Sequence, residues 1–599
     1  MPLVSEKGRL DSFRWLALAA AVMVYLLIVV GGVVRVTGSG LGCPDWPLCY
    51  GRLFPPLRID AILEYSHRFT ASLTSPLVLA TAAAAWMKHR TNRRIVGPSL
   101  AALGLLAVQV VLGGITVVLE TPSWIVAVHL AVALLIFALL LRVTTVAFRG
   151  AAPAESSPGA RPIAREATLA AAAVFVLLVS GGVVAGAGAT AACGGFPLCD
   201  GRLWPNHLLG QIQMVHRLLA IAAGAGAMGV ASKAWRTTGA SSAVRITATL
   251  GGVLIVMQAV IGALNVIRGF PPLLSGLHVA TAAAVWGAVV LTASLAHLGP
   301  KPAHAGPAAT DERGTPWDYL ALTKPVILTL LLMTTLAGMI VGSRGAPPAG
   351  TILWTLIGGA LAAGGASALN QFTDRDLDAL MARTRRRPIP SGRLGPARVL
   401  TFGLVLCTLA FYTLAIFVNL LSALLAFAGM VYYVGLYGLV LKRSTVQNIV
   451  VGGGAGAIPP LVGWAAATGS LDWRAFFLFA VVFFWTPAHF WALALLRQKD
   501  YRRAGVPMLP VVYGEQEARL QILLYAVQVV LLTLMLSTVQ ATGWIYLVAA
   551  AVLGAGLLLQ ALRLWRRGGS RTAWGMYRYS SIYLALLFAA LIVDTLARA

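Results

Sequence analysis

Charge is what this sequence has least of. Asp, Glu, Lys and Arg make up 11% of its 599 residues, where a soluble protein carries about 25%. Acids are the scarcest, 20 Asp+Glu against 46 Lys+Arg, and there are only 9 His and 5 Cys. With 58% apolar residues and a mean hydropathy of +0.81, a water-soluble globule is excluded. A disordered chain is excluded by the same apolar content. The net charge of +26 leaves two readings. It is either a nucleic-acid footprint or the mark of cytoplasmic loops in a membrane protein.

What the sequence does have is long apolar runs. A bilayer crossing needs about 20 such residues. Seventeen runs qualify: roughly 15–36, 67–87, 95–118, 124–147, 166–187, 213–231, 246–267 and 274–297, then 319–342, 351–372, 398–418, 420–440, 449–468, 474–496, 519–540, 543–563 and 577–597. The first is too long for a cleaved signal peptide and lacks a small-residue cleavage site. With the N-terminus inside, 10 of the 46 Lys+Arg fall outside and the remaining 36 inside. That is the positive-inside pattern, and it argues against a nucleic-acid partner. The expectation is an all-α polytopic protein of a bacterial inner membrane, its solvent membrane lipid and its N-terminus cytoplasmic.

Two polar, Pro/Ala/Gly-rich segments punctuate the chain, 150–165 and 298–318. Both read as linkers. The halves before and after the first repeat each other. Gly31-Gly32-Val33-Val34 matches Gly181-Gly182-Val183-Val184, CPDWPLCYGRL at 43–53 matches CGGFPLCDGRL at 193–203, and EYSHR at 64–68 matches QMVHR at 213–217. Gln109 and His129 match Gln258 and His278. Residues 1–150 and 151–297 are therefore expected to form two four-helix bundles of one topology. A nine-helix bundle over 319–599 would follow the second linker.

Cys43/Cys49 and Cys193/Cys199 fall in outer loops, where an oxidising compartment favours a short disulfide in each. Free thiols are the alternative. A metal pair lacks His or acid at zinc spacing. His67 and His129 are 62 residues apart, and so are His216 and His278. A lone intramembrane His is usually a packed residue, but four at matching depth in a repeat can hold a metal from opposite sides. Haem iron takes axial imidazole, and bundle cores hold cofactors. Arg68 and Arg217 either meet haem propionates or anchor a helix end. Glu64 lies one turn before His67, while its counterpart Gln213 cannot ionise. That difference points to one reactive and one electron-carrying or structural site.

Residues 1–297 resemble the haem A synthases. The likeness is carried by GGVVRVTGSGLGCPDWPLCYG at 31–51, EYSHR at 64–68, the four histidines and the doubled cysteine pair. The family oxidises the C8 methyl of haem O to a formyl group. The resemblance implies that the half with His67, His129 and Glu64 holds substrate haem, that His216 and His278 hold a haem b cofactor, and that Glu64 assists the oxidation.

In the second part, Asn370, Asp374 and Asp378 stand at i, i+4, i+8 in NQFTDRDLDALMARTRRRP, on one helix face at the inner end of a span. Acids beside a membrane span are costly and usually functional. Oxygen ligands in a row suit Mg²⁺ shared with a diphosphate. The neighbouring Arg383, Arg385, Arg386 and Arg387 can neutralise the leaving diphosphate, although such a basic run is also ordinary topology signal. Tyr437-Gly-Leu-Val-Leu-Lys442-Arg443 and Lys499-Asp500-Tyr501 border two further inner loops.

Residues 315–599 resemble the haem O synthases (protohaem IX farnesyltransferases) of the UbiA prenyltransferase superfamily. The likeness runs through the 370–388 motif, YGLVLKR at 437–443, NIVVGGGAGAIPPLVGW at 448–464, TPAHFWALAL at 486–495 and KDYRRAGVPMLPVV at 499–512. It implies farnesyl transfer from farnesyl diphosphate to the C2 vinyl of haem B. Asn370, Asp374 and Asp378 would bind Mg²⁺-diphosphate, and Arg383, Arg387, Tyr437, Lys442, Arg443 and Asp500 would bind substrate. His489 either positions haem or is a packed residue. One departure stands out: the residue four before Asp500 is Leu496, so a second Mg²⁺ held wholly by carboxylates is not supported.

The expectation is a fused enzyme that converts haem B to haem O and haem O to haem A. Its electron donor is open, as is whether it partners itself or oxidase-assembly factors. Rival readings are a di-haem electron-transfer domain fused to a prenyltransferase acting on a quinone precursor, and a transporter, whose polar groups would more often lie at the midplane.

Overall fold

The computed structural model describes residues 6–149, 160–237, 240–298, 314–538 and 542–599. The two sequence-predicted linkers fall largely outside them. The chain divides into two compact units, Met1–Gly306 and Pro307–Ala599. Among the described residues there is no strand beyond isolated bridges of Cys49 with Arg52 and Cys199 with Arg202. Among the described residues, seventeen helices are long and apolar enough to cross a membrane.

The first unit holds α1 (Glu6–Val36), α2 (Ile59–Lys88), α3 (Arg93–Val118), α4 (Ser123–Arg149), α5 (Ala160–Gly186), α6 (Leu208–Arg236), α7 (Ser242–Ile267) and α8 (Pro272–Leu298). Polar residues at the breaks set the helix starts. The Asn92 side chain accepts the Arg94 N–H ahead of α3, and Ser241 accepts the Val244 N–H ahead of α7. Each caps an amide that a helix N-terminus leaves unpaired. α1–α4 and α5–α8 form the two bundles, and α4 and α8 pack against each other between them. Their shared core contains Leu134, Phe137 and Trp286, with Trp286 Nε1 donating to the Leu134 carbonyl at 2.8 Å.

The second unit begins with a short α9 (Pro316–Thr323), then α10 (Pro325–Ser343), α11 (Ala349–Thr373), α12 (Arg375–Leu380), α13 (Pro396–Phe417) and α14 (Leu420–Val431). A π-helix, Tyr432–Leu441, continues α14 into the single turn α15 (Lys442–Ser444). α16 (Asn448–Thr468), α17 (Trp473–Leu496), α18 (Gln498–Arg503), α19 (Leu509–Val512), α20 (Gly514–Thr538), α21 (Trp544–Arg567) and α22 (Ser570–Ala597) complete it. In lipid, helices associate by close packing of small residues. α10 and α16 do so backbone to backbone: a Cβ on Gly463 would collide with the Thr335 carbonyl oxygen, and one on Gly338 with that of Pro460. Because the long helices alternate in direction, α9, α12, α15 and α18–α19 all fall at one end of this bundle.

The span expected at 420–440 departs from a plain α-helix. Its second half is the π-helix, a geometry that is rare and frequent at functional sites. The wider turn seats Gly438 against the end of α11, where a Cβ would lie 3.7 Å from Asn370 Oδ1.

Candidate functional sites

The α11–α12 junction gathers the acidic row. Asn370, Asp374 and Asp378 are each at most 3% exposed. Burying two carboxylates is tolerable only with counter-charge, and both have it. Lys442 Nζ donates to Asp374 Oδ2 at 2.6 Å, and Arg387 Nη1 to Asp378 Oδ2 at 2.6 Å. Asn370 Nδ2 also donates to Asp374 Oδ2, at 2.5 Å. Two oxygens are left over: Asn370 Oδ1 and Asp374 Oδ1 are buried and have no hydrogen-bond partner. Orphaned buried oxygens side by side fit a hard cation with oxygen ligands, so this donor set suits Mg²⁺.

The other sequence-predicted residues of this end divide into two groups. Tyr437 stacks on Tyr433 (5.7 Å between centroids) and sits over Gly452, where a Cβ would strike its ring. Arg383 is exposed and within electrostatic reach of Tyr501 of α18. Arg443 instead donates to the Thr373 carbonyl at 2.8 Å, closing the end of α11. Asp500 accepts the Ala382 N–H at 3.4 Å, tying α18 to the loop after α12. Arg385 and Arg386 are exposed. His489 is a packed residue on one nitrogen. It lies between Trp485 and Tyr577, at 4.3 and 4.7 Å, and its Nδ1 meets Ser580 Oγ at 2.8 Å.

The sequence reading missed Lys324. It links α9 to α10 in a left-handed conformation, φ 52° and ψ 65°. Neighbours hold it there. A Thr315/Asp318 capping box starts α9, Arg393 pairs with Asp318 at 2.7 Å, and Ser367 and Gln371 of α11 both donate to the Leu322 carbonyl. Burial lowers the Lys324 ammonium to about 8; Arg387 and Arg383 push the same way, and Asp378 and Asp374 oppose them. A third cation thus faces the acidic row. Its only local signal is Lys before a helix-starting Pro.

In the first unit, all four histidines lie about two turns into their helices from the end that carries the cysteine loops. Each ring rests on a glycine of a neighbouring helix. An added Cβ would lie 2.9 Å from His67 Cε1 at Gly31, 3.4 Å from His129 at Gly113, 3.2 Å from His216 at Gly181 and 3.1 Å from His278 at Gly262. The two members of each pair are within electrostatic reach of one another. The buried Nδ1 atoms of His67, His129 and His278 have no hydrogen-bond partner. Neither does the buried Oε1 of Gln109 or of Gln258, each one turn before the glycine under its bundle's second histidine. Paired imidazoles on small-residue walls, beside orphaned amides, fit a flat metal complex such as haem.

Cys43–Cys49 and Cys193–Cys199 are disulfide-bonded. Asp200 and His207 approach Cys199, nearer than the spacing suggested, but a disulfide sulfur is no thiolate ligand. The arginines anchor these loops. Arg68 donates to the carbonyls of Cys43, Asp45 and Leu48 and pairs with Glu64 at 2.5 Å. Glu64 also accepts the Cys43 N–H at 2.8 Å. Arg217 donates to the carbonyls of Gly195, Pro197 and Leu198, but its Nη2 is buried without a partner. Gln213 donates to the Thr190 carbonyl and leaves its own Oε1 unpaired. One half holds its loop through a buried ion pair, and the other does not.

Two family models match. Residues 14–62 and 58–290 match COX15-CtaA, a cytochrome oxidase assembly protein family, and residues 331–587 match the UbiA prenyltransferase family. A protohaem IX farnesyltransferase of Thermus thermophilus is 39% identical over 605 residues, spanning 98% of both chains. One from Chloroflexus aurantiacus is 38% identical over 586 residues, 95% of this chain and 96% of its own. A shorter one from Symbiobacterium thermophilum is 52% identical over 279 residues, 46% of this chain and 93% of its own. Among solved structures, a UbiA homolog from Archaeoglobus fulgidus bound to DMAPP and Mg²⁺ is 15% identical with a TM-score of 0.37, covering 46% of this chain and 99% of that one.

Proposed function

The chain belongs to the protohaem IX farnesyltransferases, and from that premise we propose a two-step membrane enzyme that makes haem A from haem B. The second unit farnesylates haem B to haem O. The first oxidises the C8 methyl of haem O to a formyl group. The observation that carries this reading is the presence in one chain of two unlike donor sets: the acid–cation cluster at Asn370, Asp374 and Asp378, and the two histidine pairs. We place the protein in a bacterial inner membrane with its N-terminus cytoplasmic, so the cluster faces the cytoplasm and the histidines lie near the outer surface.

In the second unit, Asn370, Asp374 and Asp378 would hold Mg²⁺, which when bound neutralises diphosphate charge. Lys442 and Arg387, paired with Asp374 and Asp378, would place positive charge beside the phosphate oxygens. Lys324 and Arg383 supply further positive charge where the leaving diphosphate accumulates negative charge. Breaking the allylic C–O bond yields a carbocation, which water would quench. Tyr433 and Tyr437 wall the approach and are suited to exclude it.

In the first unit, His67 and His129 would hold substrate haem and His216 and His278 a haem b. Haem b supplies electron transfer when bound. Glu64 keeps the disulfide loop closed over the substrate half through Arg68 and the Cys43 amide. The test is expression in a host lacking both activities, followed by pigment extraction. Haem A is expected; haem B alone would refute the reading.

A further inference from the structure

The two histidine pairs are alike in sequence and differ in one contact. His216 Nδ1 lies 2.8 Å from Ser180 Oγ, and Ser180 Oγ donates to the Leu177 carbonyl at 2.7 Å. A hydroxyl has one proton. With it on the carbonyl, the oxygen is left as acceptor, so Nδ1 carries the ring proton and Nε2 keeps its lone pair. Ser180 directly precedes Gly181, the glycine under His216. The residue that precedes Gly31 under His67 is Val30. There the ring has the Leu27 carbonyl nearby, as His216 has that of Leu177, but no side-chain acceptor.

We propose that Ser180 is a positioning residue for the second-half haem. It holds His216 in the Nδ1–H tautomer and would make it the stronger iron donor of the two homologous histidines. The inference rests on the haem reading of the first unit. A ligating imidazole whose other N–H is accepted by an oriented partner is more basic. A more basic axial ligand stabilises the oxidised iron. The half without a buried ion pair at its arginine would therefore carry the lower-potential haem. The half with Glu64 gives its first histidine a nearby backbone carbonyl but no side-chain acceptor.

The test uses the full-length chain purified in detergent with its haem. The readouts are haem content, spectroelectrochemical titration and electron paramagnetic resonance of the ferric state. His216→Ala, which should lose one haem, identifies that haem's signals. Ser180→Ala is expected to retain haem and shift that haem's midpoint potential upward, leaving any haem in the other half unchanged. Ser180→Thr should restore the wild-type value. Unchanged potential and resonance in a haem-replete Ser180→Ala would overturn the proposal. If Ser180→Ala loses its haem, Val30→Ser decides. It should lower the potential of haem in the first half, and no shift there would overturn the proposal. Haem content unaffected by His216→Ala would overturn the haem assignment itself, and the proposal with it.

Discussion

The two units solve the problem of polar groups in an apolar chain in opposite ways. In the first, the site is built of imidazoles resting on glycines, and its buried acid, Glu64, pairs with Arg68 and accepts the Cys43 N–H. In the second, the site is an ion cluster in which Lys442 and Arg387 each meet a buried carboxylate. The difference teaches what each can bind. A neutral, small-walled slot suits a planar metal complex. A cluster of buried carboxylates with cations and unpaired oxygens beside them suits a metal-bound polyanion.

The largest expected effect breaks that contrast in the second unit. Asp374→Ala should lower farnesyl transfer by about 10²–10³-fold, while haem bound to the first unit, read by absorbance, stays unchanged. Next comes the contrast within the first unit. Arg68→Met strands a buried carboxylate and should destabilise that unit by about 3 kcal/mol. Arg217→Met strands none and should cost less; thermal melts of haem-loaded protein compare them. The smallest effect is on pH. Lys324 holds its proton below about pH 8 and loses it above, because burial and the neighbouring arginines lower it. kcat/KM for farnesyl diphosphate should be level below pH 8 and fall about tenfold per unit above it. Lys324→Arg, whose guanidinium keeps its proton, should remove that fall.

Much of this was legible in the sequence. Apolar runs mark the spans because lipid demands about 20 residues of them, and the repeat marks the histidines because both halves preserve their spacing. The acidic row is legible because its members lie one turn apart. What was not legible depends on residues far apart in the chain. Lys324 is brought to the site by contacts such as that of Ser367 with the Leu322 carbonyl, 45 residues away. The π-helix brings Gly438 close to Asn370, a contact no local sequence pattern marks. That Arg443 and Arg68 donate to backbone carbonyls is seen only in the fold. Ser180 carries no motif at all, and its meaning comes from the His216 ring 36 positions later.

The central claim is that two sites in one chain act in series and that Glu64 belongs to the second step alone. Glu64→Gln, expressed in a host that lacks both activities, tests it most directly through the extracted pigments. The account predicts accumulated haem O with no haem A and with haem still bound by the protein. Haem A at the wild-type level would contradict it.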